Sequence, residues 1–205
     1  MPDPHELASL IRQKSGGALR YIVAVAGAPA SGKSTLAEHL CHALIAQGET
    51  ASVVPMDGFH FDDAVLNARG HRPRKGAPFT FDVYGFEILL KRIKAREPEI
   101  AIPVFDRTLE LSRAAADIIT DVAKFIIVEG NYLLLKQKPW TQLKPLFDYS
   151  IFLNIPIEQL ESRLIKRWLD LGFDLAYAQN WIASNDLLNI KTVMQESDTP
   201  DLVVE

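Results

Sequence analysis

Gly27, Gly32, Lys33 and Ser34 stand at the spacing G-x-x-x-x-G-K-[ST], inside the run Gly27-Ala28-Pro29-Ala30-Ser31-Gly32-Lys33-Ser34-Thr35. Glycines at these two positions let the backbone bend so that successive N–H groups point inward at one anion, and the lysine adds a mobile positive charge for the β- and γ-phosphates. The Ser34 hydroxyl occupies the usual position of a Mg²⁺ ligand, and a helix opened by Ser34 or Thr35 turns its positive dipole end toward the phosphates. The pattern predicts a nucleoside triphosphate site built from Gly27, Ala28, Ala30, Ser31, Gly32, Lys33, Ser34 and Thr35. The run before it, Tyr21-Ile22-Val23-Ala24-Val25-Ala26, is apolar throughout, as a buried strand feeding such a loop must be.

Two carboxylates follow apolar runs in the same way. Asp57 comes after Ser52-Val53-Val54-Pro55-Met56, and Glu129 after Lys124-Phe125-Ile126-Ile127-Val128. In an open parallel sheet, ligands bind beyond the C-terminal ends of the strands. Singly, each carboxylate reads equally well as a turn or helix-start residue. Together, beside a phosphate loop, they point to a catalytic crevice.

The elements that must position these groups follow from periodicity. Helices are expected over residues 6–14, 36–47, 86–95, 157–169 and 176–190, with strands at 21–26, 52–56, 100–105, 124–128, 148–153 and 201–204. Pro103 marks 100–105 as an edge strand ended by Asp106-Arg107. This alternation predicts an α/β fold, with three layers and helices on both faces of a mostly parallel central sheet. Residues 58–82 form a polar, basic connection rich in Gly and Pro, whose length suits a flap closing over a site. In its basic run, Arg69 and Arg72 read as solvated charge, while Arg74 and Lys75 read as charge brought to an anionic substrate.

The whole chain narrows the function classes. Its 205 residues, 48% hydrophobic, suit a single domain spanning 1–205. One cysteine, Cys41, excludes an intrachain disulfide, and His5, His39 and His42 form no metal-ligand grouping with it. A net charge of −4 argues against a nucleic-acid surface. No run approaches the ~20 apolar residues of a spanning helix. The start Met1-Pro2-Asp3-Pro4-His5-Glu6 carries no secretory signal, so a cytoplasmic protein without a membrane partner is expected. The chain does not distinguish a monomer from a homodimer.

Five segments carry a resemblance. Gly27 to Thr35, Met56-Asp57-Gly58-Phe59-His60, Arg74-Lys75-Gly76-Ala77-Pro78 with Thr80-Phe81-Asp82, Pro103-Val104-Phe105-Asp106-Arg107, and Val128-Glu129-Gly130-Asn131-Tyr132 occur in this order. In this set the chain resembles the P-loop kinase family of uridine kinase, type I pantothenate kinase and phosphoribulokinase, and within it the bacterial fructose transport system kinases. The resemblance implies ATP and Mg²⁺ as cofactors and a hydroxyl of a small metabolite as acceptor, a sugar first, with pantothenate, a nucleoside or a phosphosugar as the alternatives. It implies Asp57 as the base, Glu129 as a Mg²⁺ carboxylate, and Asp82 and Asp106 in the acceptor pocket with His60, Lys75 and Arg107. It further implies that Arg163 and Arg167 are lid arginines, in a lid of about residues 163–175. Their spacing of four puts them on one helix face, where pairing with Glu158, Glu161 or Asp170 is the alternative. The resemblance places Asn185, Asp186 and Asn189, at helical spacing, near the adenine or the lid, and a helix-surface or capping role is the alternative.

Other classes fit less well. A regulatory GTPase would carry an Asn-Lys-x-Asp motif, which is missing, and Asp82-Val83-Tyr84-Gly85 mimics D-x-x-G without a preceding buried strand. A dinucleotide oxidoreductase would need G-x-G-x-x-G and leaves Lys33-Ser34 without a purpose.

Overall fold

The apolar runs become the strands of one parallel sheet. A computed structural model describes residues 3–205; Met1 and Pro2, the head of the segment expected to carry no secretory signal, lie outside the described residues. In chain order the first elements are α1 (Pro4–Ser15), β1 (Tyr21–Gly27), α2 (Lys33–Ala46), β2 (Ala51–Pro55), α3 (Asp63–Ala68) and α4 (Val83–Lys94). There follow β3 (Glu99–Asp106), β4 (Leu111–Thr120), β5 (Phe125–Gly130), β6 (Tyr149–Leu153), α5 (Ile157–Asp170), α6 (Leu175–Trp181), α7 (Leu187–Glu196) and β7 (Leu202–Val204). The main sheet has the order β2-β5-β1-β6-β7, with every pairing parallel. Every residue of β1 and β5 is buried, which is why these strands are unbroken apolar runs without alternation. Flanking helices complete the α/β fold, α2 packing on β1, β2 and β5. No helix among the described residues is long and apolar enough to cross a membrane.

The structure corrects two expectations. The run 100–105 is no edge strand of the main sheet. It lies in β3, which pairs antiparallel with β4 as a separate two-stranded sheet, and the register slips at Pro103, which has no N–H to give the ladder. The connection after β2, expected as a flap, is a folded excursion. It holds α3 and three single 3₁₀ turns, buries Leu66, Ala77, Thr80 and Phe81, and closes on itself where Phe61 N donates to Thr80 O at 3.0 Å and Asp82 N to Phe59 O at 2.8 Å. The helix expected over 176–190 is α6 and α7 joined by a π-helical turn at Ile182–Asp186. Turns of that kind concentrate at functional sites.

Candidate active site

The end of β1 runs into the glycine turn and then into α2. Gly32, with φ of 95°, holds the left-handed conformation at the helix N-cap that side chains avoid, and Ala30 shares it at 63°. Because β5 runs parallel beside β1 and β2 parallel beside β5, the residues after them arrive at the same edge of the sheet. Asp57 lies in the 3₁₀ turn Met56–Phe59, directly past β2. Gly130 makes room for that turn, since a Cβ there would stand 2.5 Å from the Met56 Cβ.

One cavity of about 420 Å³ brings together Lys33, Asp57, His60, Lys75, Arg107 and Arg167 among its lining residues. Arg107 donates to the Asp57 carboxylate at 3.1 Å. Burial alone would raise the Asp57 pKa, but His60 when protonated, Lys33, Arg107 and Arg167 outweigh it and hold the group below its ordinary value. His60 packs between Phe81 and Phe105, with ring centroids at 4.0 and 4.8 Å, and its Nδ1 donates to the Asp57 carbonyl at 2.8 Å. Burial lowers the His60 pKa despite the neighbouring carboxylate, so at neutral pH the ring is an uncharged brace for the Asp57 turn.

Glu129 is buried beside the phosphate loop and accepts a hydrogen bond from Ser34 Oγ at 3.1 Å. A hydroxyl and a carboxylate oxygen side by side, next to a phosphate cradle, fit the hard oxygen donors that Mg²⁺ takes along with phosphate oxygens. Burial pushes the Glu129 pKa up, Lys33 opposes that, and the Asp57 charge adds to it. The folded state therefore keeps a proton where the unfolded chain has lost it, and stability falls as pH rises from the ordinary 4.5 through the raised value. Glu129→Gln removes this cost while keeping an acceptor for Ser34. In thermal denaturation without nucleotide or metal, the variant should melt higher than the parent at neutral pH and match it near pH 4. A lower melting temperature at pH 7 would contradict this reading.

Arg163 and Arg167 do not form a solvated ion-paired face. Lys166 takes Asp170 instead, while Arg163 donates to the Ala30 and Ser31 carbonyls of the phosphate loop at 3.2 and 3.1 Å. Arg167 is desolvated in the cavity, which lowers its pKa. Lys75 is buried, with Nζ 2.8 Å from Asp63 Oδ1 and 2.7 Å from the Glu110 carbonyl, so part of its charge is already satisfied by the protein.

Asp82 and Asp106 are not brought to the cavity. Asp82 caps α4, accepting from Gly85 N at 2.9 Å, and so accounts for the D-x-x-G mimic. Asp106 accepts from Thr108 N and Leu109 N in the β3–β4 turn and faces Arg113 at 3.4 Å. Both carboxylates are held by local backbone, which spacing in the sequence could not distinguish from an inward orientation.

Two features of the site were not anticipated. Arg74 donates to Asn185 Oδ1 at 2.9 Å and Asn189 Oδ1 at 3.1 Å, Asn185 Nδ2 donates to the Lys75 carbonyl at 3.0 Å, and the Tyr132 hydroxyl donates to the Gly76 carbonyl at 2.6 Å. Asn185 and Asn189 are thus buried clamp residues rather than surface ones. The second feature is aromatic: Trp168, Phe173, Tyr177 and Trp181 line one wall of the cavity. Tyr177 and Trp181, four apart on α6, share one helix face, and that spacing is the signal; Phe173 lies just before the helix.

The geometry agrees with the comparisons. A crystal structure from Silicibacter sp. TM1040, provisionally described as a fructose transport system kinase, superposes with a TM-score of 0.94 at 39% identity over 100% of both chains. A Schizosaccharomyces pombe protein provisionally named uridine kinase C227.14 is 32% identical over 203 residues, covering 91% of this chain and 83% of its own. Pantothenate kinase of Rhodococcus opacus is 34% identical over 160 residues, covering 74% of this chain, which spans 49% of that protein. No family model matches the chain. A phosphate loop on a parallel sheet, carried in a chain so similar to proteins named as kinases, places this one in the P-loop small-molecule kinase family as an ATP-dependent kinase.

Proposed function

We propose that this kinase is a single catalytic domain of the cytoplasm that transfers the γ-phosphoryl group of ATP to a hydroxyl of a small metabolite, with Asp57 as the base. The observation that carries this reading is the opening of Asp57 and Lys33 into one cavity, with Arg107 on the carboxylate. Held below its ordinary pKa, Asp57 is ionised at neutral pH. It can accept the hydrogen bond of the acceptor hydroxyl and take its proton as the O–P bond forms. Lys33 and Arg167 would neutralise charge on the phosphoryl oxygens, and the Arg163 contact to the loop carbonyls supports the cradle. Ser34 and Glu129 are the residues that would hold Mg²⁺, which when bound supplies further neutralisation of phosphate charge. His60, Lys75 and Arg107 would face the acceptor.

A sugar stands first as acceptor, on the likeness to the fructose transport system kinase; pantothenate and uridine are the alternatives that the other relatives' names supply. The test is a screen of hydroxylated metabolites for acceptor-dependent ADP formation by the purified chain. One or more acceptors should raise ADP release well above the rate with ATP alone. Release that no acceptor raises would favour a nucleotide switch and remove the proposal.

A further inference from the structure

Phosphorylating a hydroxyl and hydrolysing ATP are one displacement carried out by two different oxygens. In both, the attacking oxygen bonds to the γ-phosphorus, the bond from that phosphorus to the β–γ bridging oxygen breaks, ADP leaves, and the attacking oxygen's proton goes to the base. Water outnumbers any metabolite, so a base as open to water as to the acceptor would hydrolyse ATP to no product.

Arg107 stands where the two oxygens can be told apart. Among the described residues it alone hydrogen-bonds the Asp57 carboxylate, Nη2 donating to Oδ2 at 3.1 Å, while Oδ1 takes no such bond. The partners are unequally anchored: the Asp57 side chain is 21% exposed and that of Arg107 55%. The backbone that carries Arg107 is braced, since Asp106 accepts from Thr108 N and Leu109 N and the buried Lys75 donates to the Glu110 carbonyl at 2.7 Å. The guanidinium itself is not. Asp57 is its one hydrogen-bond partner among the described residues, and it lines both the catalytic cavity and a second one of about 410 Å³ shared with Glu110, Lys166 and Arg167. From this boundary it can leave the carboxylate without unpacking the core.

Resting on the phosphotransfer reading, we propose that Arg107 is a positioning residue that guards Asp57 against water. Sharing its charge with a guanidinium makes the carboxylate a poorer base, and the bond to Oδ2 leaves Oδ1 for a hydroxyl placed there by the rest of the pocket. An acceptor held by several contacts presents its hydroxyl at high effective concentration and overcomes the competition. Water, held by nothing else, does not. Lys33 and Arg167 serve the phosphoryl oxygens whichever oxygen attacks, so they cannot make this distinction.

The experiment measures ADP formation by the full chain from ATP and Mg²⁺ with no acceptor added, together with the affinity for an ATP analogue. Arg107→Gln should fold, because the side chain is more than half exposed. It should raise acceptor-free hydrolysis about tenfold or more, with nucleotide affinity kept within about twofold. Arg107→Lys, which keeps the charge without the fork, should raise it less. Adding Asp57→Asn to Arg107→Gln should abolish the gain, because the released hydrolysis runs through the base. Hydrolysis at or below the parental rate in Arg107→Gln would overturn the guard: a loss would make Arg107 a charge on the transferring group, and no change would leave it a contact of the acceptor alone. A gain that survives in the double variant would overturn it too. The screen of acceptors is read separately. A parent that an acceptor stimulates, with hydrolysis unmoved in Arg107→Gln, loses the guard and keeps the kinase reading. A parent that no acceptor stimulates, with hydrolysis released in Arg107→Gln, loses the kinase reading and keeps Arg107 as the brake on water.

Discussion

Asp57→Asn is expected to lower acceptor-dependent turnover by about 10²- to 10⁴-fold while nucleotide affinity stays near the parental value. The exchange keeps the side chain's size and removes the charge that accepts a proton. It also keeps what the backbone of this turn does, because the bonds from His60 N at 3.2 Å and His60 Nδ1 at 2.8 Å both end on the Asp57 carbonyl. A residue that merely formed a turn would therefore tolerate asparagine without loss. Turnover and nucleotide affinity measured on the same preparation separate the two roles. Near-parental turnover would move the base elsewhere, and Asp82 and Asp106, already occupied as caps, would not take its place; Asp186 and Glu110 are the remaining carboxylates lining the cavity.

Lys33→Ala should cost about 10²- to 10³-fold in turnover, the typical loss when one charge is taken from a transferring group. The variant should fold, since Lys33 is half-exposed at the first turn of α2 and contributes little to the core. A second consequence follows from the electrostatics. Lys33 helps to lower the pKa of Asp57 and opposes the rise at Glu129, so its removal raises both carboxyls and moves the acidic limb of any residual activity upward in pH. Parental turnover in this variant, with an unchanged pH profile, would sink the assignment of the loop.

What could be read from the sequence was local. The phosphate loop declares itself because its backbone geometry demands particular residues at fixed spacing, and β1 and β5 do so because strands buried on both faces leave no polar alternation. β4 gave no such signal: eight of its ten residues are exposed, so neither periodicity nor apolar content marks it as a strand. Without it, β3 could only be assigned to the main sheet. Asp57 and Glu129 were legible as strand-end carboxylates, whereas the inward or outward aim of Asp82 and Asp106 depends on caps that spacing does not reveal. The Arg74 clamp joins residues more than a hundred positions apart and is invisible to any local pattern.

That separation bears on how the molecule assembles. The partners of Arg74 lie 111 and 115 positions further along the chain, and closing a loop of that span before other structure is in place is entropically unfavourable. β1, which leads into the phosphate loop, pairs with β5, and β5 with β2, all within the first 130 residues. During synthesis, then, a chain can hold a formed nucleotide cradle while the far wall of its catalytic pocket does not yet exist. The Arg74 clamp can close only once the π-helical turn and α7, which carry Asn185 and Asn189, have been made.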